Sequence, residues 1–371
     1  VSESELPALL GQVLGGAFVA AFAFGAIAQR THFCTMGAVA DIVNMGDWTR
    51  MRMWLLAIAV AILGFNAMVA LGWVRAGDSL YAGPRLLWLS NAVGGLLFGF
   101  GMVLGSGCGS KTLIRIGGGS LKSLLVFCVL GIAAYATLRG ITAVARVGTV
   151  DAVAATLPTG QDLPSLLAHA GVGSVPVLAP LLGLLLGGAL LAFVLMRPEG
   201  RSANTLVGGI GIGATIVFVW WLSGQHGHLA EHPVTLEEAF VATNSQRMES
   251  FSFVAPVAYT LDWLMLFSDR SKTLTIGIVA CVGVVLGSAA MALATRSFRW
   301  EGFGGTEDTA NHIVGGALMG VGGVTAVGCT IGQGISGVST LAVGSFIALG
   351  SIIAGAVLAL RWQMWRLERS V

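Results

Sequence analysis

The sequence predicts an all-α polytopic membrane protein of about nine transmembrane helices, and three observations carry that expectation. Hydrophobic residues make up 55% of the 371 positions and charged residues 10%, against roughly 25% charged in an ordinary soluble domain. A chain with so little charge cannot cover a core of that size in water. The apolar residues also gather into runs of about 18 to 25, the length that crosses a hydrocarbon layer roughly 30 Å thick. Finally, the 54 glycines sit inside those runs as Gly-Gly pairs and small-xxx-small spacings, which let helix backbones approach closely in lipid.

These features bound one integral membrane domain, residues 1–371, with membrane lipid as its solvent. The net charge of +2 is scattered over many loops, so no nucleic-acid partner is implied. Five cysteines without a CxxC pair form no disulfide scaffold. No motif calls for a cofactor, and the loop histidines His226, His228 and His232 read as solvated residues, not a metal site. The pattern leaves the oligomeric state open and is compatible with a monomer.

Taken in order, the spans fall at about 7–29, 53–74, 86–106, 120–138, 175–196, 204–223, 272–295, 310–328 and 340–360. The first run is too long for a signal peptide and lacks a small-residue cleavage site, so it reads as a mature span. The stretch from Phe251 to Phe267 is apolar but carries Pro256 and Asp262. It reads as a short or interfacial helix in a loop, with a tenth span as the alternative.

Counting Lys and Arg orients the chain, because cytoplasmic connections are enriched in them. With the N-terminus outside, thirteen fall on inside segments and seven on outside ones. The expected arrangement in a bacterial inner membrane is therefore N-terminus periplasmic and C-terminus cytoplasmic. The two longest loops, about 139–174 and 224–271, then face outside.

An internal repeat is the strongest signal in the chain. At a constant offset of 221, Gly94, Gly95, Gly99, Gly101, Gly107 and Cys108 meet Gly315, Gly316, Gly320, Gly322, Gly328 and Cys329. A fainter copy opens each half, at Gly15-Gly16 and Gly208-Gly209. The matched spans are displaced by five crossings, and an odd displacement inverts the second unit. The halves, about 7–140 and 204–362, are thus expected to form an inverted-topology repeat with a substrate site between them near the midplane.

Three cysteines stand in the breaks after glycine-rich or apolar spans: Thr31-His32-Phe33-Cys34-Thr35-Met36-Gly37, Gly107-Cys108-Gly109-Ser110-Lys111, and Gly328-Cys329-Thr330-Ile331-Gly332-Gln333-Gly334. If these breaks dip inward as short re-entrant helices, backbone N–H groups at the helix starts point at the path, and helix N-termini attract anions. Lys111 adds a cation beside Cys108. A thiol is a weak donor and a polarizable group, so Cys34, Cys108 and Cys329 suit a substrate with an exposed anionic sulfur. Gly107, Lys111, Gly328, Thr330 and Gln333 are the supporting positions. Cys128 and Cys281 sit mid-span among apolar residues, where packing is their expected role.

At these three motifs, and across essentially the whole chain, the sequence resembles the YeeE/YedE family of bacterial inner-membrane sulfur transporters, whose characterised members take up thiosulfate. The resemblance implies an hourglass-shaped path in which thiosulfate is handed between the thiols of Cys34, Cys108 and Cys329 by S–H···S contacts, chemically unchanged. It also implies that the chain is no enzyme and that it delivers to a small cytoplasmic sulfurtransferase of the TusA type. The long outside loops depart from the most compact form of the family. Transport of another sulfur or selenium compound stays open.

Two further classes remain as rivals. A membrane thiol–disulfide carrier needs two thiols that can meet, which Cys108 and Cys329 satisfy if they approach across the repeat. A soft-metal transporter would use thiolates with His32 and Met36, but Lys111 opposes a cation. No Asp or Glu stands within the nine spans as a proton or sodium site.

Overall fold

In hydrocarbon every backbone N–H and C=O has to be satisfied within the chain, and runs of Leu, Ala, Val and Gly do this as helices. The computed structural model describes residues 4–370. Its first half contains α1 (Leu6–Thr31), α2 (Thr35–Met45), α3 (Thr49–Ala70), α4 (Trp88–Leu104), α5 (Gly109–Gly117), α6 (Leu121–Arg139) and α7 (Ile141–Gly148). The second half supplies α8 (Leu163–His169), α9 (Val175–Leu195), α10 (Ala203–Trp221), α11 (Ala255–Met265), α12 (Ile276–Ala294), α13 (Thr306–Thr325) and α14 (Val343–Ser370).

Eight segments among the described residues are long and apolar enough to cross a membrane, counting α2 with α1 and α5 with α4. The chain is an all-α, multi-pass membrane protein. α13 stands where the eighth run, 310–328, was expected, but Glu307, Asp308, Asn311 and His312 make its first two turns too polar to qualify by hydropathy. Some boundaries move for identifiable reasons. α3 starts at Thr49, ahead of the expected 53, because Arg50 pairs with Asp41 at 2.6 Å and Arg52 Nη1 donates to the Phe193 carbonyl at 2.8 Å. α14 continues past 360 as a surface helix, with Arg366 over Trp362 and Arg369 over Trp365. α11, with 11 residues, is about 16 Å long at the helical rise and too short to span.

Backbone hydrogen bonds sort the connections onto two faces. On one, Leu80 N–H donates to Met248 O at 3.0 Å, residues 85–86 pair antiparallel with 155–156, and Leu163 N–H donates to Leu341 O at 3.1 Å. This long-loop face gathers 71–87, 140–174, 222–275 and 326–342. On the other, Leu121 N–H donates to Glu301 O at 2.9 Å, and Arg115 and Lys122 pair with Glu301 and Asp308 at 3.1 and 2.8 Å. This basic face holds the thirteen Lys and Arg positions counted above.

Helix contacts come in corresponding pairs. α1 packs on α12 as α10 packs on α3, and α4 packs on α14 as α13 packs on α6; α4 also meets α13, and α1 meets α10. Gly94 and Gly101 of α4 lie against Gly322 and Gly315 of α13, so these two helices run antiparallel. Cβ atoms placed at Gly94 and Gly315 would come to 2.7 Å from the carbonyl oxygens of Gly322 and Gly101 respectively. No larger residue leaves room for that approach.

Glycine at a backbone crossing is a packing requirement that can be measured. A Cβ at Gly99 falls onto the Ile352 carbonyl, whereas at Gly188 of α9 it meets nothing within 4 Å. Gly99→Ala is expected to cost about 1–3 kcal/mol through overpacking, read as a lowered melting temperature in detergent. Gly188→Ala should hold or slightly raise it, and equal effects at both sites would contradict the crossing.

Candidate functional site

All three cysteine breaks share one local design. The preceding helix ends on a non-glycine residue in the left-handed region, two positions before the cysteine: His32 (φ 55°), Ser106 (φ 55°) and Val327 (φ 59°). The next amide closes back five residues, from Phe33 to Ala28 O at 3.1 Å, from Gly107 to Met102 O at 2.8 Å and from Gly328 to Gly323 O at 2.8 Å. This is a Schellman closure, which satisfies carbonyls that a helix end would otherwise leave bare.

Each cysteine then begins a new helical turn. The carbonyls of Cys34, Cys108 and Cys329 accept from Ala38, Thr112 and Gln333 N–H at 3.0, 2.9 and 2.8 Å. Two of the sulfurs accept from an amide of those starts, and the third lies against a hydroxyl. Cys34 Sγ accepts from Gly37 N–H at 3.3 Å and Cys329 Sγ from Gly332 N–H at 3.4 Å, while Cys108 Sγ lies 3.3 Å from Ser110 Oγ. The turns they begin are α2, α5 and the single helical turn Gly332–Gly337.

The structure brings the three predicted thiols together. Cys108 is close enough for charge interaction with both Cys34 and Cys329, which places it between them. Cys329 and Cys108 are 0% and 1% exposed, and Cys34, nearer the basic face, is 9% exposed. Lys111 packs its stem against Gly107, and its charge reaches His32 and Cys34, so it serves the basic-face end of the group. Gln333 Nε2 donates to Ala326 O at 2.6 Å, whereas its Oε1 and the Thr330 hydroxyl are buried with no partner among the described residues. Cys128 and Cys281 stand in helices outside the breaks, although Cys281 lies within charge range of Cys329.

One component was not legible beforehand. The stretch Phe251-Ser252-Phe253, assigned to a loop, threads back into the bundle, where both rings pack on Phe24 at 5.8 and 5.5 Å. Ser336 Oγ donates to Phe251 O at 2.8 Å, and the Phe253 amide reaches the Cys329 sulfur. Gly109 leaves space for the Phe253 carbonyl, and Gly332 for the Ser252 hydroxyl. The apolar–polar–apolar alternation of 251–253 was the available signal for a buried extended strand, but three residues are too few to outweigh the surrounding polar loop. On the far side of Asn66 and Trp220, which bond Ser339 at 3.0 Å each, the turn after Cys329 is held by α3 and α10.

From the long-loop face a cavity of about 180 Å³ descends to Val327 and Gly328, beside Cys329. Tyr81, Arg146, Asn244, Glu249, Ser252 and Tyr259 supply its polar wall.

Residues 30–358, which include all three breaks, match the family described as sulphur transport. The chain belongs to that family. Among its relatives, the thiosulfate transporter TsuA of Escherichia coli (strain K12) is 27% identical over 352 residues, 94% of this chain and 93% of that protein. The thiosulfate transporter TsuA of Spirochaeta thermophila is 25% identical over 360 residues, 94% of this chain and 97% of that protein. A shorter match, 33% over 104 residues, joins 28% of this chain to the probable transporter YedE of Escherichia coli (strain K12). Membership of a sulphur-transport family makes the buried thiols part of a transporter and not of an enzyme.

The left-handed turn at Val327 carries a cost of its own, since a β-branched side chain is unfavourable there. Val327→Gly is expected to raise stability by about 1 kcal/mol net of the added chain entropy, seen as a higher melting temperature in detergent. A fall in melting temperature would mean that the valine side chain contributes more by packing than its backbone costs.

Proposed function

We propose that this protein takes thiosulfate up into the cytoplasm along the path Cys329, Cys108, Cys34, without chemical conversion. The observation that carries the reading is the repeated break: three thiols, each at the amide-rich start of a helical turn, with Cys108 between the other two. Inside the bundle a dianion has to exchange water for donors at every step, because an unpaired buried charge costs several kcal/mol. Backbone N–H groups meet its oxygens and thiols meet its terminal sulfur. Lys111 offsets charge at the basic-face end, and Gly107 and Gly328 keep the backbone close to the path. Thr330 and Gln333 offer buried polar atoms with free capacity.

On this reading the long-loop face is periplasmic and the basic face cytoplasmic, as the Lys and Arg count favours. The protein sits in a bacterial inner membrane with its N-terminus periplasmic and its C-terminus cytoplasmic. The halves 7–140 and 204–362 form an inverted repeat; the antiparallel α4 and α13, with their reciprocal glycine contacts, support it. A TusA-like sulfurtransferase would accept the anion at the basic face.

Uptake of radiolabelled thiosulfate by reconstituted vesicles tests the path. Cys108→Ala and Cys329→Ala should each slow uptake about tenfold or more, as loss of a donor adding about 1.4 kcal/mol to the barrier does. Cys34→Ala should act more mildly, Lys111→Ala should raise the apparent KM, and Cys128→Ala and Cys281→Ala should leave uptake intact. Wild-type rates in the double variant lacking Cys108 and Cys329 thiols would refute the relay. Competition by sulfate, sulfite and selenite in the same vesicles separates thiosulfate from other oxyanions.

Orientation has its own test. In a background without native thiols, Glu231→Cys and Asn44→Cys lie exposed on the long-loop and basic faces respectively. A membrane-impermeant maleimide added to spheroplasts should label the first, and reach the second only after the membrane is opened. Labelling of both from one side would rule out the two-faced topology.

A further inference from the structure

The cavity above Cys329 contains an acid that the thiol path does not use. Glu249 lies on the stretch between α10 and α11, and its carboxylate accepts from Ser245 Oγ at 2.9 Å. Among the described residues no Lys, Arg or His forms an ion pair with it. Tyr81, from the connection after α3, and Tyr259, from α11, are both close enough to interact with its charge. Arg146 of α7 borders the same cavity but is held by Asp151 at 3.4 Å, which in turn accepts from Ser90 Oγ at 2.5 Å.

A second chamber of about 230 Å³ shares Asn244 and Tyr259 with the first and is lined further out by Arg139, Asp262 and Lys272. Lys272 is paired with Asp262 at 2.6 Å, which leaves Arg139 as the cation there with no ion pair among the described residues. A small anion drawn in by Arg139 therefore meets Glu249 before it reaches Cys329. Ionised, that carboxylate repels a dianion across an enclosed cavity where screening is weak. Protonated, it becomes an O–H donor to an anion oxygen.

We propose that Glu249 is the gate residue of the outer vestibule, which admits an oxyanion to Cys329 while its carboxyl carries a proton and excludes it once ionised. The proton stays on Glu249 throughout, so no proton is carried by the anion. The inference rests on the transport reading above. Its working range is the neutral one: burial pushes the Glu249 carboxyl up to about 7, partly offset by hydrogen bonds from the Ser245 hydroxyl and from the Asn244 and Ser245 amides. The gate is open below that pH and closes as pH rises through it. No histidine lines either chamber among the described residues; burial pushes the Tyr81 and Tyr259 hydroxyls up, and the bond to Asp262 pushes the Lys272 ammonium up, so each moves away from that range.

Thiosulfate uptake by reconstituted vesicles, with the inside pH fixed and the outside varied from about 6 to 8, tests this. Wild-type uptake should fall about fivefold between pH 7 and 8, and to about a tenth of its acid-limb rate by pH 8. Glu249→Gln, which keeps the donor and cannot ionise, should hold the acid-limb rate throughout, while Glu249→Asp should keep a pH dependence. A pH-independent wild type, or a Glu249→Gln protein that retains the wild-type profile, would overturn the gate and leave the thiol path standing. No uptake by the wild type at any pH would overturn the thiosulfate reading and the gate with it. In parallel, the infrared band of a protonated carboxyl should vanish as pH rises through about 7 in the wild type and be missing from Glu249→Gln. A band that persists well above that pH would also overturn the gate.

Discussion

Bare peptide groups are intolerable at membrane depth, and the rest of this structure follows from how the chain meets that constraint at its three breaks. A thiol displayed inside the bundle needs a helix to stop, turn and start again without leaving carbonyls or amides unpaired. The left-handed residue and the five-residue closure solve the stop, and the cysteine carbonyl solves the start. Gly37 and Gly332 spend their first-turn amides on the Cys34 and Cys329 sulfurs, and the polarity of the remaining helix start is of the kind that suits an anion. The stop, the donor and the thiol are one motif written three times.

The same motif explains why the centre is assembled from distant parts of the chain. Short helical turns cannot stand alone, so each is held by neighbours: Asn66 and Trp220 grip Ser339, Ser336 holds Phe251, and Phe253 reaches back to Cys329. The long loops are thus components of the interior as well as covers. Their contribution brings Glu249 to the wall above Cys329.

The sequence made the helical bundle readable because apolar runs and glycine spacing are local properties, and so are the three breaks and the offset of 221. α13 shows the limit of hydropathy: Glu307 and Asp308 disqualify it by composition, yet the Gly315, Gly320 and Gly322 register identified it. What could not be read depends on contacts between segments far apart. His32, Ser106 and Val327 carry no sign of a left-handed turn, since glycine is the residue that announces one. Phe251-Ser252-Phe253 resembles any loop until Gly109 and Gly332 are found to have vacated the space it fills. Glu249 carries no local sign of its place either, because nothing in its neighbours says that the loop folds inward.

The glycine crossing of α4 and α13 has a consequence for speed. Carbonyl oxygens of Gly94 and Gly322, and of Gly101 and Gly315, lie where side chains would normally hold two helices apart. Sliding one helix along the other would drive Leu97 or Phe98 into that gap, so the crossing acts as a weld between the halves. On the transport reading proposed above, a bundle joined this tightly at α4 and α13 would pass an ion by turning side chains, on the nanosecond scale, and not by rocking whole halves over microseconds to milliseconds. Its turnover would then resemble that of a slow, selective channel more than that of a carrier that must reset after every passenger.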